Sequence, residues 1–301
     1  MGAGSIISGG FGVVRRHPGA VALWGLLYLA ATVAMALAMR PIMATFSRLE
    51  AAGAGDPAAG AAVTSAMSWL LLVELAVVAV AIILFAAAIR SVLQPERPGF
   101  AFLRAGMDEL RLFGLAMLFF ILLYVGLLVA TLVVVLVVAL AAVASGASAA
   151  IAVSVIAVVG LLGAVVWLQV RLSLAFPLTV MRGKIVIGEA WRLTRGRFWT
   201  LFIAYFAIFL LLLIFWIAAA LAASGLYFAD LASGGFTPEN FQRAGERQLE
   251  RQFGAPSPTM AAGWALSALA GSLTIALFGG AVATAARDAV TDVDALGETF
   301  A

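Results

Sequence analysis

Apolar residues fill six long segments of the chain, and short polar stretches separate these segments. Each apolar segment has about twenty residues or more, which is the number a helix needs to cross about 30 Å of hydrocarbon at about 1.5 Å per residue. In chain order the predicted spans cover residues 20–39, 68–89, 112–143, 149–180, 198–222 and 262–285. The pattern therefore predicts a protein that crosses a membrane six times.

Lipid as the solvent decides the secondary structure of these segments. The valine-rich run from Thr131 to Val138 would favour a strand in water. A lone strand in lipid leaves backbone N–H and C=O groups unpaired at several kcal/mol each, whereas a helix pairs its own. The uncharged turn from Ser145 to Ser148 divides the third span from the fourth, so these two spans form a helical hairpin. The predicted fold class is all-α, a polytopic helix bundle.

Composition agrees with this fold class and excludes several functions. Apolar residues make up 64% of the 301 residues, charged residues make up 11%, and the mean hydropathy is +1.13. A soluble domain has about 45–50% apolar and about 25% charged residues. Residues 1–301 are therefore interpreted as a single membrane domain. The net charge of +3 does not indicate a nucleic-acid partner, because the basic residues are scattered between spans and form no single patch.

The residue types required by common active sites are scarce. The chain has no cysteine and a single histidine, His17, which excludes thiolate metal sites, disulfides and zinc sites built on several histidines. No phosphate-binding loop, nucleophile elbow or paired carboxylate is recognisable. We predict no catalytic residues, no metal site and no cofactor, and hence a protein that is not an enzyme.

The distribution of lysine and arginine predicts the orientation. Thirteen of the 18 basic residues fall on one side of the predicted spans and five on the other. The majority side carries Arg15, Arg16, Arg90, Arg97, Arg104, Arg111, Arg171, Arg182, Lys184, Arg192, Arg195, Arg197 and Arg287. Because basic residues are enriched in cytoplasmic loops, this side should be cytoplasmic and both termini should lie inside.

Short amphipathic segments precede the first, third and fifth spans. They cover residues 7–16, 100–111 and 187–197, and each combines apolar positions at helical spacing with arginines. Such segments suit interfacial helices that direct arginine toward anionic head groups. The predicted lipid contacts are Arg104, Arg111, Arg171, Arg192, Arg195 and Arg197. Two interpretations stay open. The chain either contains a threefold repeat of an interfacial helix and a hairpin, or it shows the pattern of any six-span protein with charged inner loops.

One sizeable polar segment, residues 224–260, lies on the opposite side. Thr237 is a suitable N-cap, and Pro238 follows at the first helical position. We expect one helix of about 15 residues here, with Phe241, Leu249 and Phe253 along one apolar face. It is either a lid or partner surface, or a cover over the ends of the spans.

Three polar side chains fall inside predicted spans, namely Glu74, Gln169 and Arg171. A charge at the centre of a span costs about 2.5–3.5 kcal/mol on the insertion scale, so such residues are candidates for function. Glu74 is either a proton or cation site, one half of a buried pair, or a carboxyl near the outer interface. Arg171 could bind a lipid phosphate, pair with Glu109 or Glu189, or extend to the inner head groups.

Small residues recur at four-residue steps along the sixth span. They are Gly263, Ser267, Gly271, Gly279 and Ala283. Small residues at this spacing allow close helix contact in membranes. We predict packing inside the bundle, and as the second choice a face for homo-oligomer formation.

Two neighbouring stretches resemble a known family. They read Arg-Leu-Ser-Leu-Ala-Phe-Pro from Arg171 to Pro177, and Glu-Ala-Trp-Arg-Leu-Thr-Arg-Gly-Arg-Phe-Trp from Glu189 to Trp199. This segment resembles the membrane domain of the glycerophosphoryl diester phosphodiesterase family and its uncharacterised bacterial relatives. The resemblance implies a bacterial inner-membrane location. It implies no hydrolase activity, because the chain contains no soluble phosphodiesterase domain.

These observations favour an integral inner-membrane protein that acts as an accessory or membrane-organising component. The expected partners are membrane lipids, and a homo-oligomer or another membrane protein is a further option. The alternative is a transporter or channel for a small or lipidic solute, with Glu74 and Arg171 as its polar sites.

Overall fold

A computed structural model describes residues 2–52, 57–97, 99–104, 106–253 and 257–299. Ten α-helices and no strands occur within these ranges. They are α1 (Ala3–Arg16), α2 (Pro18–Ala52), α3 (Pro57–Leu93), α4 (Met107–Ser145), α5 (Ala147–Leu172), α6 (Ala175–Arg182), α7 (Ile187–Leu193), α8 (Phe198–Gly234), α9 (Pro238–Phe253) and α10 (Pro258–Thr299).

Six helical segments are long and apolar enough to cross a membrane, which confirms the predicted helix bundle. They are Pro18–Ile42, Ala61–Leu93, Met107–Ser145, Ala147–Arg182, Phe198–Leu221 and Pro258–Val293. The protein is therefore a multi-pass membrane protein. Because the number of crossings is even, both termini lie on one face of the bundle. That face is called inner below, and the opposite face outer.

The fourth span is interrupted near its inner end. α5 ends at Leu172 and α6 begins at Ala175, with Ser173 and Leu174 in the turn between them. Pro177 causes this break, because in a continuous helix its ring would clash with the carbonyl of Ser173 and it has no N–H to donate.

Helix α1 packs against the inner half of α10. Ser5 contacts Asp288 while Gly10 lies beside Leu277, so the two helices run antiparallel. A Cβ atom added to Gly10 would lie 2.6 Å from the carbonyl oxygen of Leu277, so only glycine permits this approach. Gly9 and Gly10 of α1 therefore belong to its contact surface with α10. The buried face contains Ile6, Gly10 and Val13.

Phe11, outside this buried face, is 46% exposed. One expectation about the inner segments is corrected. The segment 100–111 was expected to be an interfacial helix, but its described residues up to Gly106 form turns. Ala101 and Phe102 adopt positive φ angles of 52° and 61°, which a helix does not permit. Met107 to Arg111 instead belong to the first turns of α4.

The largest core cluster lies toward the inner face, where α1, α6, α8 and α10 meet. Its fully buried residues include Ile6, Leu174, Leu178, Leu201 and Ala285. Trp24 of α2 is also fully buried, and its indole N–H donates to the carbonyl of Ala101 at 3.1 Å. By contrast, the hairpin of α4 and α5 exposes apolar side chains along most of its length.

The outer segment contains the predicted helix, with a different buried face. α8 continues to Gly234, and α9 then covers Pro238–Phe253 with the Thr237 hydroxyl accepting the N–H of Asn240 at 3.3 Å. Leu249, on the expected apolar stripe, is 48% exposed, whereas Ala244 is buried. Residues 254–256 of the predicted outer loop lie outside the described ranges.

Candidate functional site

The short helix α7 is fixed at its C-terminal end by Thr194. This side chain is fully buried, and its hydroxyl lies within 3.0–3.1 Å of the carbonyl oxygens of Arg171, Ala190 and Trp191. The hydroxyl of Thr194 has one proton, so it donates to one of these carbonyl oxygens at a time. Thr194 thereby joins the end of α7 to the end of α5.

The next residues turn the chain into the fifth span. Gly196 has φ 80°, a left-handed conformation that glycine adopts without steric cost. Arg197 then precedes α8, and its guanidinium reaches α10. It donates to the carbonyl of Ala289 at 3.3 Å and pairs with Asp292 at 3.3 Å. Arg197, a predicted lipid contact, therefore holds two helices together.

Arg192 and Arg195 have a different environment from Arg197. Both side chains are exposed, and neither makes a hydrogen bond or ion pair within the described residues. Together with Arg197 they line an open hollow of about 400 Å³. Glu189, the acidic residue of this hollow, is paired with Arg182 at 2.8 Å. Within the described residues, the hollow thus presents two arginines that have no ion-pair partner.

Arg171 lies between two tryptophans. Its guanidinium carbon is 5.6 Å from the ring centre of Trp167 and 5.3 Å from that of Trp191. The Nε and Nη1 atoms are buried and have no hydrogen-bond partner among the described residues. Cation–π attraction to both rings stabilises the charge where water is excluded. Arg171 therefore connects α5 to α7 and does not pair with Glu109 or Glu189.

The two remaining predicted lipid contacts, Arg111 and Arg104, contact other parts of the protein. Arg111 pairs with Asp108 at 3.0 Å, one turn earlier on α4. Arg104 is exposed and donates to the carbonyl of Arg97 at 3.2 Å. Arg192 and Arg195 are thus the predicted contacts that the structure leaves most accessible to a ligand.

Glu74 and Gln169, the two intramembrane candidates besides Arg171, face away from the bundle. Both side chains are exposed, and within the described residues neither has a hydrogen-bond partner. Glu74 lies on α3, roughly 24 Å along the helix from Arg90 at 1.5 Å per residue.

A buried ion pair that the sequence did not predict connects α3 to α4. Arg90 pairs with Glu109, and their side chains are only 3% and 9% exposed. Arg90 also donates to the carbonyl of Phe102 at 3.3 Å, while Glu109 accepts the N–H of Gly106 at 2.9 Å. The available signal was weak: an acid in the first turn of a helix, and an arginine at the end of an apolar run.

A second unpredicted feature is a cavity of about 440 Å³ toward the outer face, called the outer cavity below. Its wall is mainly apolar and comes from α2, α3, α9 and α10, with one residue of α8. The lining includes Tyr28, Met35, Val80, Gln248, Arg251 and Trp264. Cavities of roughly 300–1,000 Å³ are typical of ligand sites.

Comparison with known proteins identifies no relative of this chain. No family model, no curated protein and no solved structure matches it. The resemblance of residues 171–177 and 189–199 to a phosphodiesterase membrane domain therefore stays a prediction.

Proposed function

We propose that this protein is a non-enzymatic accessory or membrane-organising component that holds anionic lipid at its inner rim. The inner rim is the part of the inner face around Arg192, Arg195 and Arg197. Arg192 and Arg195 carry this proposal. They are exposed, lack an acidic partner among the described residues, and flank the same hollow. Arginine suits this task because its planar guanidinium binds phosphate through two hydrogen bonds.

The surroundings of the two arginines support contact with head groups rather than with a soluble anion. Trp199 begins the fifth span close by and is 69% exposed. Tryptophan favours the level of the head groups, where its ring is in the apolar phase and its N–H is near water. Arg192 and Arg195 therefore belong at the depth where lipid phosphates lie.

The proposed location is a bacterial inner membrane with both termini in the cytoplasm. The excess of basic residues on the inner face favours this orientation. The cytoplasmic leaflet is the one that carries anionic lipid, and each basic residue near it contributes about 1 kcal/mol. A reporter fused after Gly234, between α8 and α9, should accordingly be periplasmic.

The test measures the preference of the protein for anionic over zwitterionic lipid. Full-length protein in neutral detergent is titrated with phosphatidylglycerol and with phosphatidylcholine, and lipid adducts are counted by native mass spectrometry. Arg192→Gln with Arg195→Gln should reduce the preference for phosphatidylglycerol roughly 30-fold, which corresponds to about 2 kcal/mol. Salt should reduce the preference of the unmodified protein as well.

Arg243→Gln is the matched control. Arg243 is exposed on α9 at the outer face. Replacing it removes one positive charge, as each inner-rim substitution does, but leaves the inner rim intact. We expect no change in lipid preference. An undiminished preference in the double variant would contradict the proposal.

The alternative of a transporter or channel requires polar groups along one continuous path. Glu74 faces away from the bundle, and Arg171 is held between two indole rings. This arrangement favours the accessory function over transport through these two residues.

A further inference from the structure

Two residues that line the outer cavity, Gln248 and Arg251, each carry a buried polar atom without a hydrogen-bond partner in the described part of the chain. Nη1 of Arg251 and Oε1 of Gln248 are both buried, and neither makes a hydrogen bond within the described residues. Both side chains line this cavity. A buried donor or acceptor without a partner is costly, so groups of this kind indicate a place where a ligand supplies the missing contacts.

The charges around these atoms favour an anion. Asp230 pairs with Arg251 at 2.7 Å and with Arg247 at 3.3 Å. One carboxylate therefore faces two guanidinium groups, which leaves one positive charge in excess. The bond of Arg251 to Asp230 uses Nη2 and leaves Nη1 available to another acceptor.

The rest of the cavity favours a hydrocarbon chain. Away from α9 its wall is formed mainly by aliphatic and thioether side chains, such as Ala31, Met35, Val77, Val80 and Met260. The lining residues of α2 extend from Tyr28 to Met39, roughly 16 Å along that helix at 1.5 Å per residue. The cavity thus extends from the outer end of α2 into the membrane, and its charged groups lie on α9.

We propose that the outer cavity binds one acyl chain of a single-chain anionic amphiphile, with the head group at Arg251 and Gln248. The hydrocarbon chain lies between α2, α3 and α10, and the anionic head accepts hydrogen bonds from Nη1 of Arg251. The side-chain amide of Gln248 donates to the same head group when its NH2 group is turned toward the cavity. A long-chain fatty acid and a lysophosphatidic acid both have this chemistry.

Trp264 lines the cavity and provides a direct measurement. Full-length protein in phosphatidylcholine nanodiscs is titrated with a fatty acid brominated along its chain, which quenches nearby tryptophan fluorescence. We expect saturable quenching that Trp264→Phe largely removes. The methyl ester of the same acid, which has no charge, should quench without saturation, and a brominated lysophosphatidic acid shows which head group binds more tightly.

Two variants test the two ends of the site. Arg251→Gln should weaken binding roughly 10- to 100-fold, because a hydrogen bond to a charged group is lost. Asp230→Asn breaks the same ion pair but keeps the guanidinium of Arg251, so it should weaken binding clearly less than Arg251→Gln does. If Asp230→Asn weakens binding as much as Arg251→Gln, the position of α9 controls binding and the proposal fails.

The acyl end is tested by filling the cavity. Gly263 lines it, and a Cβ atom added there has no neighbour within 4 Å, so the side chain of Gly263→Leu can enter the cavity from this position. We expect this variant to abolish saturable quenching. Gly160→Leu is the matched control, because Gly160 is exposed on α5 and also has no neighbour within 4 Å. Saturable binding that persists in Gly263→Leu overturns the proposal, and Arg192→Gln with Arg195→Gln should leave binding here unchanged.

Discussion

Helices α4 and α10 both cross the membrane, but α4 is the more apolar of the two and α10 is the more buried. The most apolar stretch of α4 has a mean hydropathy of 3.2, and none of its residues are buried. The corresponding stretch of α10 has a mean hydropathy of only 1.8, and 56% of its residues are buried. In a water-soluble protein the more apolar helix would be expected in the core.

The size of the side chains explains this inversion. Where α10 contacts its neighbours it carries small residues, including Gly271, Gly279 and Gly280, which lie against Tyr28, Ala88 and α1. The middle of α4 carries valine and leucine. Lipid tails are as apolar as leucine, so large apolar side chains gain little by leaving lipid, whereas small residues let helices approach closely. In this bundle, hydropathy indicates membrane crossing and residue size indicates the core.

The largest effect is expected where α4 joins the bundle. Glu109→Gln should lower the free energy of unfolding by about 3–5 kcal/mol, because it leaves the buried charge of Arg90 without its partner. Reversible unfolding by SDS in mixed micelles measures this change. Replacing both residues, Arg90→Met with Glu109→Leu, should be clearly less destabilising. Equal losses in the single and double variants would show that α4 is not anchored by this pair.

A matched pair of leucines tests the comparison directly. Leu178 is fully buried, whereas Leu136 is 61% exposed on α4. Leu178→Ala should cost about 2–5 kcal/mol, because it leaves a cavity in the core. Leu136→Ala should change stability by about 0.5 kcal/mol or less, as expected for a site without packed neighbours. A large loss in Leu136→Ala would mean that the exposed face of α4 is covered by another protein surface.

Glycine substitutions test the role of small residues. A Cβ atom at Gly280 would lie 2.7 Å from Val13 Cγ2 and 2.9 Å from the carbonyl oxygen of Gly9. Gly280→Val should therefore destabilise the protein by about 1–3 kcal/mol through overpacking against α1. Gly126→Val on α4 is the control, because no atom lies within 4 Å of its added Cβ. Similar stability of the two variants would refute the interpretation of α10 as the packing helix.

The sequence predicted the elements whose signals are local. The six spans follow from runs of apolar residues, and α9 follows from Thr237 and Pro238 at its start. The position of α7 also depends on residues next to each other in the chain. In each case the chain responds to its immediate neighbours or to the membrane.

The sequence did not predict which faces meet. An apolar side chain in a membrane helix is stable against lipid or against protein, so periodicity does not identify the buried face of α1 or α9. The pairing of Arg90 with Glu109 joins two helices through residues 19 positions apart in the chain, and no local pattern specifies it. The inner rim shows the same limit, since Arg197 binds α10 while Arg195, two residues earlier, is exposed.

The smallest effect is a local one at the outer helix α9, and it depends on pH. Arg251 donates a hydrogen bond to Asp230 and, with Arg247 nearby, holds the pKa of this carboxyl below its ordinary value. Because the pKa of Asp230 is lowered in the folded state, its ion pairs stabilise the contact of α9 with α8. This stabilisation is complete at pH values above the ordinary pKa of about 3.9. This contribution is lost progressively as the pH falls below about 4 and through the folded-state pKa.

Hydrogen–deuterium exchange between pH 7 and pH 3, corrected for the intrinsic exchange rate, measures this loss. Amides of α9 should lose protection at the acidic end, and Asp230→Asn should show the low protection at every pH. The hairpin of α4 and α5 supplies an internal control, because residues 112–168 contain no acidic side chain. Its protection should be constant over the same range. A parallel loss of protection in both regions would mean that acid loosens the whole bundle, and the ion pairs of Asp230 would then not be what holds α9 in place.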